Sequence, residues 1–345
     1  MAEITFVLGE PRYATAGIGQ IKAPSGQLRL VEEAVDRLGD NASERLREEY
    51  LALGRALRDT VGDFAIVNLA TFRKTGTRYG SFMRDVAGLS GNSYDWRVEK
   101  RSSVAREFPR DALVALPGLW LFDERVFPAR DEVAGDVRIL TSPIGGGGMM
   151  LTRQAKALVS ERVIYNDGQW VESVSHLAPL LDRGIQVGVL PNPFMVALDP
   201  TDKSVAKAHY TDHLDREMVL IEDTEGRLHL LIDSKYQGYD HTGDTLLCRS
   251  ATLDLVKRVC ERLEVEVHPV EITVPYSLNL LQTPTGEVLM TSGDEEVEGL
   301  VRSLVGDRVV TTEIPVEAYP AYTHAGIHCL IGEFPSPVHL GEDEE

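Results

Sequence analysis

A unit of strand, tight turn, strand, helix and strand recurs along this chain, and that recurrence limits the architecture more than any other feature. In the clearest copy, Arg216–Glu222 carries the apolar run Met218–Ile221, Thr224-Glu-Gly226 turns the chain, and Leu228–Ile232 returns. The amphipathic helix Ala251–Leu263 and the β-rich run Val265–Val270 follow. A second copy reads Leu278–Gln282, Pro284-Thr-Gly286, Val288–Thr291, helix Glu295–Leu304 and a strand over 309–315. Copies recur at intervals of roughly 50–70 residues, with little identity between them. Strands at period two and helices at three- and four-residue spacing predict the α/β class.

Upstream the elements are less regular. Ile4–Leu8 predicts a strand, Leu30–Leu38 and Ala42–Val61 amphipathic helices, Phe64–Leu69 a strand, Trp170–Leu181 a helix and Gln186–Val189 a strand. Residues 73–107 read as an irregular, basic stretch. Arg73 and Arg84 within it, and Arg110 just beyond, are candidates to clamp a substrate carboxylate through charge-assisted hydrogen bonds. The competing account is a solvated loop paired with surface acids. No linker interrupts 1–345, so one domain is expected, closed by the acidic tail 341–345.

The 345 residues carry 54 acidic against 35 basic side chains, a formal charge of −19, which disfavours nucleic acid and anionic membranes as partners. Three cysteines, at 248, 260 and 329, lack CxxC spacing, so neither a disulfide framework nor a zinc ribbon is indicated. The start of the chain lacks the basic and apolar regions of a signal peptide, and no apolar run is long enough for a membrane helix. A cytoplasmic protein is expected, and a homo-oligomer is compatible with the sequence.

Chemistry concentrates in three places. Cys329 sits in Gly326-Ile-His-Cys329, His213-Leu-Asp215 precedes a strand, and Phe108-Pro-Arg-Asp111 precedes the apolar run Ala112–Leu116. Taken singly, each has an ordinary explanation: a packed thiol, a loop histidine, solvated acids at strand ends. Phe82-Met-Arg-Asp85 spells a similar motif but runs into Val-Ala-Gly-Leu-Ser-Gly, which reads as loop. Gly145-Gly-Gly-Gly148 suits either an anion nest or a close backbone approach. His213, Asp215, His241, His328 and Cys329 are ligand types without the spacing of a zinc motif, so no metal is expected.

Over residues 105–335 the chain resembles the guanidine-modifying pentein superfamily of arginine and agmatine deiminases, dimethylarginine hydrolases and amidinotransferases. The motifs at Cys329, His213-Leu-Asp215 and Phe108–Asp111 stand in that family's order. The resemblance implies a five-bladed β/α propeller of pseudo-repeated ββαβ units, with the N-terminal strand completing the last blade. It implies Cys329 as nucleophile, His213 as acid and base, and Asp111 and Asp215 as carboxylates holding a small-molecule guanidinium, with no cofactor. His324 and His328 flank the nucleophile, and on a strand His328 would face away from it.

One departure stands out. The family pattern Glu-Gly-Gly followed by Asn or Asp here reads Gly146-Gly-Gly-Met149. Either a nearby acid substitutes, among Asp131, Glu132 and Asp136, or the substrate is a substituted or bulkier guanidine. Hydrolysis of arginine or a derivative through an S-alkylthiouronium intermediate is the first expectation. Amidino transfer to an amine is the second, and a non-catalytic binding role the third.

Overall fold

The computed structural model describes residues 4–12, 21–67, 69, 80–94, 97–98, 107–116, 119–123, 126–127, 136–140, 146–161, 165–166, 169–170, 174–198, 206–211, 213–242, 245–248 and 252–335. Within them the repeated unit appears as five sheets on one plan, each an antiparallel pair extended by a parallel strand. The pair Leu113–Leu116 and Leu119–Asp123 is extended by Asp136–Leu140. Met149–Leu151 and Lys156–Ser160 take Gln186–Leu190 in the same way. Met218–Glu222 and Leu228–Asp233 take Val265–Val270, and Leu281–Gln282 and Val288–Met290 take Val309–Thr311. In the fifth, Ile331–Pro335 pairs with Ile4–Leu8, and Ala65–Val67 and Asn92–Tyr94 follow in parallel.

A parallel step requires a crossover, and helices supply it. Val174–Leu181, Thr252–Arg262 and Glu295–Val305 connect the last two strands of three of these sheets; in the fifth, Leu28–Leu38 and Ala42–Val61 lie between Ile4–Leu8 and Ala65–Val67, and Gly80–Leu89 between Ala65–Val67 and Asn92–Tyr94. The expected union of the N-terminal strand with the final one is present, Ile4 lying opposite Pro335 and Leu8 opposite Ile331.

Helix Ala42–Val61 ties this fifth sheet to the cysteine segment. Leu46, Tyr50, Leu53 and Leu57 bury one stripe in the same apolar cluster as Cys329 and Leu330. Glu49 lies on that stripe too, fully buried. Its carboxylate accepts the backbone N–H groups of Glu317, Ala318 and Tyr319, which cap the start of helix Ala318–Thr323. Burial pushes its pKa up to about 7 against the pull of those donors and of Arg45. An acid on an otherwise apolar stripe is explained by the three N–H groups it satisfies.

Several local expectations shift. Within 73–107 the chain forms helix Gly80–Leu89 and strands Asn92–Tyr94 and Arg97–Val98, because Phe82, Met83 and Val86 bury one helical face. The second Phe-x-Arg-Asp motif is therefore helical, with Arg84 and Asp85 exposed. Trp170 is in a short strand, and the following helix begins at Val174. The strand expected from Leu278 begins only at Leu281, since Tyr276 adopts a left-handed φ of 58° and the chain turns there. The strand at 309 ends at Thr311. Among the described residues, no helix is long and apolar enough to cross a membrane.

Candidate active site

Four short turns from distant parts of the chain meet at one place. They are Pro109–Ala112, Gly146–Gly148, Leu214–Arg216 and Ile327–Leu330, packed on one another. Each stands next to a strand of a repeated unit, so the sheets fix their positions.

Cys329 lies on the single helical turn Ile327–Leu330 and is 3% exposed. Its N–H donates to Asn279 Oδ1 at 3.2 Å, and the N–H of His328 donates to the Asn279 carbonyl at 3.0 Å. Asn279 Nδ2 donates in turn to the Asp215 carbonyl at 2.8 Å and approaches Cys329 Sγ at 3.4 Å. One buried amide thus fixes the cysteine turn against the His-Leu-Asp turn. Gly326 makes the approach possible, because a Cβ there would lie 2.5 Å from Asn279 Cβ.

Asp215 is the electrostatic centre. Its Oδ2 accepts from the Cys329 thiol at 3.3 Å and from His328 Nδ1 at 2.8 Å, and its Oδ1 lies 3.7 Å from His213 Nδ1. Burial opposes its charge, but the close approach of His213, the hydrogen bond from His328 and the positive potential of both rings hold its pKa well below the usual carboxylate range. It is ionised at neutral pH. His213 Nε2 faces Asp111 Oδ1 at 3.9 Å, beyond hydrogen-bond length. Burial also opposes the imidazolium, yet Asp111 and the contacts to Asp215 and Cys329 raise the pKa of His213 well above its ordinary value.

The thiol is pushed the other way. Burial and the charge of Asp215 raise the pKa of Cys329, and His213 offsets them only in part. The resting arrangement is therefore a neutral thiol beside an imidazolium and two carboxylates. A planar cation placed among these groups would be held by the carboxylates and would favour the thiolate.

Gly147 closes one wall. A Cβ at this position would come within 2.3 Å of Asp215 Oδ1 and 2.4 Å of His213 Nδ1. The glycine run thus serves a close backbone approach, one of the two uses its sequence allowed. Gly146 opens the same turn, and the position of the expected glutamate carries no side chain. Of the acids nearby in sequence, Asp131 and Glu132 lie outside the described residues, as does the side chain of Asp136.

The candidate arginines divide. Arg110 is half-buried, and its charge depresses the pKa of His328, after burial, and works against the burial that raises Glu333. Arg84 is exposed on helix Gly80–Leu89, and among the described residues no contact joins it to this cluster. Arg73 lies outside the described residues.

His328 corrects an expectation. The segment is helical at residues 327–330, so His328 and Cys329 do not alternate across a strand, and the His328 ring bonds Asp215 directly. Asn279 and Arg216 were not singled out by sequence, and Gly147 only as part of its glycine run. Asn279 carried a signal, a lone amide in the apolar run Leu278-Asn-Leu-Leu281, and it is 1% exposed. Arg216 directly follows the His-Leu-Asp motif, and its charge is coupled to Tyr276, Cys329, Asp215 and Asp111. His213, Asp215 and Cys329 also offer ligand atoms within 4.8 Å of one another, a donor set that suits a soft divalent ion.

No protein-family model and no curated protein matches the chain in sequence. Solved structures do match. A substrate-bound cysteine-to-serine variant of the agmatine deiminase of C. jejuni aligns at a TM-score of 0.54 and 10% identity, over 98% of this chain and 99% of that one. The substrate-bound N-terminal domain of a cyanobacterial arginine dihydrolase, also a cysteine-to-serine variant, aligns at 0.52 and 12% identity, over 97% and 100%. At such identities the likeness is one of fold alone, the pentein fold of these two proteins.

Proposed function

We propose that this protein is a cysteine-dependent hydrolase of the guanidino group of arginine or an arginine derivative. The observation that carries the reading is the convergence of Cys329, His213, Asp215 and Asp111, from three separate segments, on one buried cluster. The fold neighbours add support, since both act on guanidino compounds by name and both hold substrate in a cysteine-to-serine form.

In the mechanism, Asp215 and Asp111 accept hydrogen bonds from the guanidinium nitrogens and orient the plane of the cation. The substrate's charge offsets the burial that keeps Cys329 protonated, the thiol proton passes to solvent as substrate binds, and the thiolate attacks the guanidino carbon. The His213 imidazolium gives its proton to the departing nitrogen, which leaves as ammonia or an amine once the C–N bond breaks. Cys329 then carries an S-alkylthiouronium. Neutral His213 takes a proton from water, the resulting hydroxide adds to the same carbon, the C–S bond breaks, and a ureido product leaves the thiol free. Gly146 in place of a carboxylate favours a substituted guanidine over the free one, since it removes charge and leaves room.

For the fold we infer that the five sheets close as the blades of one propeller in a single cytoplasmic domain. Support comes from the shared plan of the sheets and from the pairing of the first strand with the last.

Mass spectrometry of products from a panel of guanidino compounds, with and without added amines, tests the activity. A ureido product formed without an amine is expected. A guanidinylated amine in its place would make the protein an amidinotransferase, and turnover persisting in Cys329→Ala would remove the cysteine from the mechanism.

A further inference from the structure

A second cluster of nitrogen and oxygen ligands lies on another sheet. Strands Leu228–Asp233 and Val265–Val270 run parallel, with His229 opposite Glu266 and Leu231 opposite His268. Residues two apart on a strand share a face, so His229, Glu266 and His268 all project from the same side. Their ligand atoms converge. His229 Nδ1 lies 3.0 Å from His268 Nε2 and 3.5 Å from Glu266 Oε2, and His268 Nε2 lies 3.7 Å from Glu266 Oε1.

Those separations can be compared with a metal polyhedron. Zinc binds imidazole nitrogen and carboxylate oxygen at about 2.0–2.2 Å, so two ligand atoms of a tetrahedral site stand roughly 3.4 Å apart. The three observed separations, which reach the Glu266 carboxylate through both of its oxygens, straddle that value. The remaining ring nitrogen of His229 is also engaged, since His229 Nε2 lies 3.0 Å from Asp223 Oδ2. Asp223 is itself fixed by the turn, where it accepts the N–H groups of Glu225 and Arg227 and the Arg227 side chain. A carboxylate of this kind keeps the proton of His229 on Nε2 and turns the Nδ1 lone pair toward the other two ligands.

We propose that His229 Nδ1, His268 Nε2 and a Glu266 carboxylate oxygen form a divalent transition-metal site of the zinc type, oriented by Asp223 and open to solvent at its fourth position. Exposure fits this division: the His229 side chain is 4% exposed, that of His268 23% and that of Glu266 65%. The bound ion would cross-link two strands of one sheet through residues that play no part in the mechanism above. Imidazole and carboxylate donors suit zinc, cobalt and nickel and give magnesium or calcium little advantage.

The test uses the full chain as Cys329→Ala, so that the thiol cluster cannot supply a second site through its sulfur. After chelation and dialysis, Zn²⁺ is titrated calorimetrically, and Co²⁺ is followed by its visible absorption. One saturable equivalent of Zn²⁺ is expected, with tetrahedral cobalt bands and no sulfur-to-cobalt charge transfer. Adding His268→Gln or Glu266→Gln, both at exposed or half-buried positions, should weaken binding at least tenfold while the circular dichroism is unchanged. Asp223→Asn should weaken it about 10–100-fold. Absence of a saturable equivalent, or an affinity unmoved by both His268→Gln and Glu266→Gln, overturns the site.

Discussion

Cys260 and Cys329 are the same residue in nearly the same degree of burial, and they have little else in common. Cys260 is on helix Thr252–Arg262 among Leu190, Leu230, Val256 and Leu263, and burial alone pushes its pKa up to about 12. Cys329 is also pushed up by burial, but it touches a carboxylate, an amide and an imidazole. Burial makes a thiol inert; the groups packed around it decide whether a ligand can restore its reactivity.

The widest separation between the two should appear on removing each sulfur. Cys329→Ala is expected to lower turnover by about 10⁴-fold or more, since a nucleophile acting with its base fails as a unit. Cys260→Ala should leave turnover within about twofold, with steady-state kinetics on the preferred guanidine as the measurement. If both variants lose activity equally, the distinction between the cysteines fails.

His213→Gln should cost about 10²–10⁴-fold in kcat, the range for a general acid and base. Gly147→Ala should cost about 10–100-fold in kcat, because its Cβ must displace His213 or Asp215 from its position. The thermal midpoint should change little, which separates displaced chemistry from lost fold.

Alkylation sharpens the comparison by pH. Iodoacetamide, which is neutral, reacts with thiolate, so its rate at Cys329 should climb with pH to a midpoint above the ordinary thiol value of about 8.5. Cys260 should remain unmodified over the same range. A cationic haloacetamidine supplies the missing positive charge and should label Cys329 rapidly near neutrality; equal rates for the two reagents would remove the substrate-assisted step. The smallest effect is on stability, where Cys260→Ala should cost about 1 kcal/mol in denaturant melts.

How much of this was legible follows from the distance between partners. The strand and helix periods were local, so the two clearest units read nearly to their ends, whereas Tyr276 with its left-handed backbone broke a strand that composition favoured. Cys329, His213, Asp215 and Asp111 were legible because each lies in a short motif. Asn279 was not, since what it does is meet a residue 50 positions away, and the glycine run holding Gly147 was legible as a close approach without its partners His213 and Asp215, because no local pattern encodes such a meeting. His328 was read on the wrong element, because a four-residue helix leaves no periodicity to find. The His229, Glu266 and His268 cluster was invisible for a related reason: its spacing exists only across paired strands.

The pairing of Ile4–Leu8 with Ile331–Pro335 also bears on how the molecule is made. Ribosomes deliver residues in order, so the first strand must wait with an unfilled edge until the last has been synthesised. An edge of that kind recruits other strands, so a nascent chain halted before Ile331 should be the aggregation-prone species. The strand that fills that edge directly follows the turn bearing Cys329, so this cysteine meets Asp215 only as the last strand takes its place. A chain terminated before Ile327 therefore lacks both the cysteine turn and the strand that fills the edge.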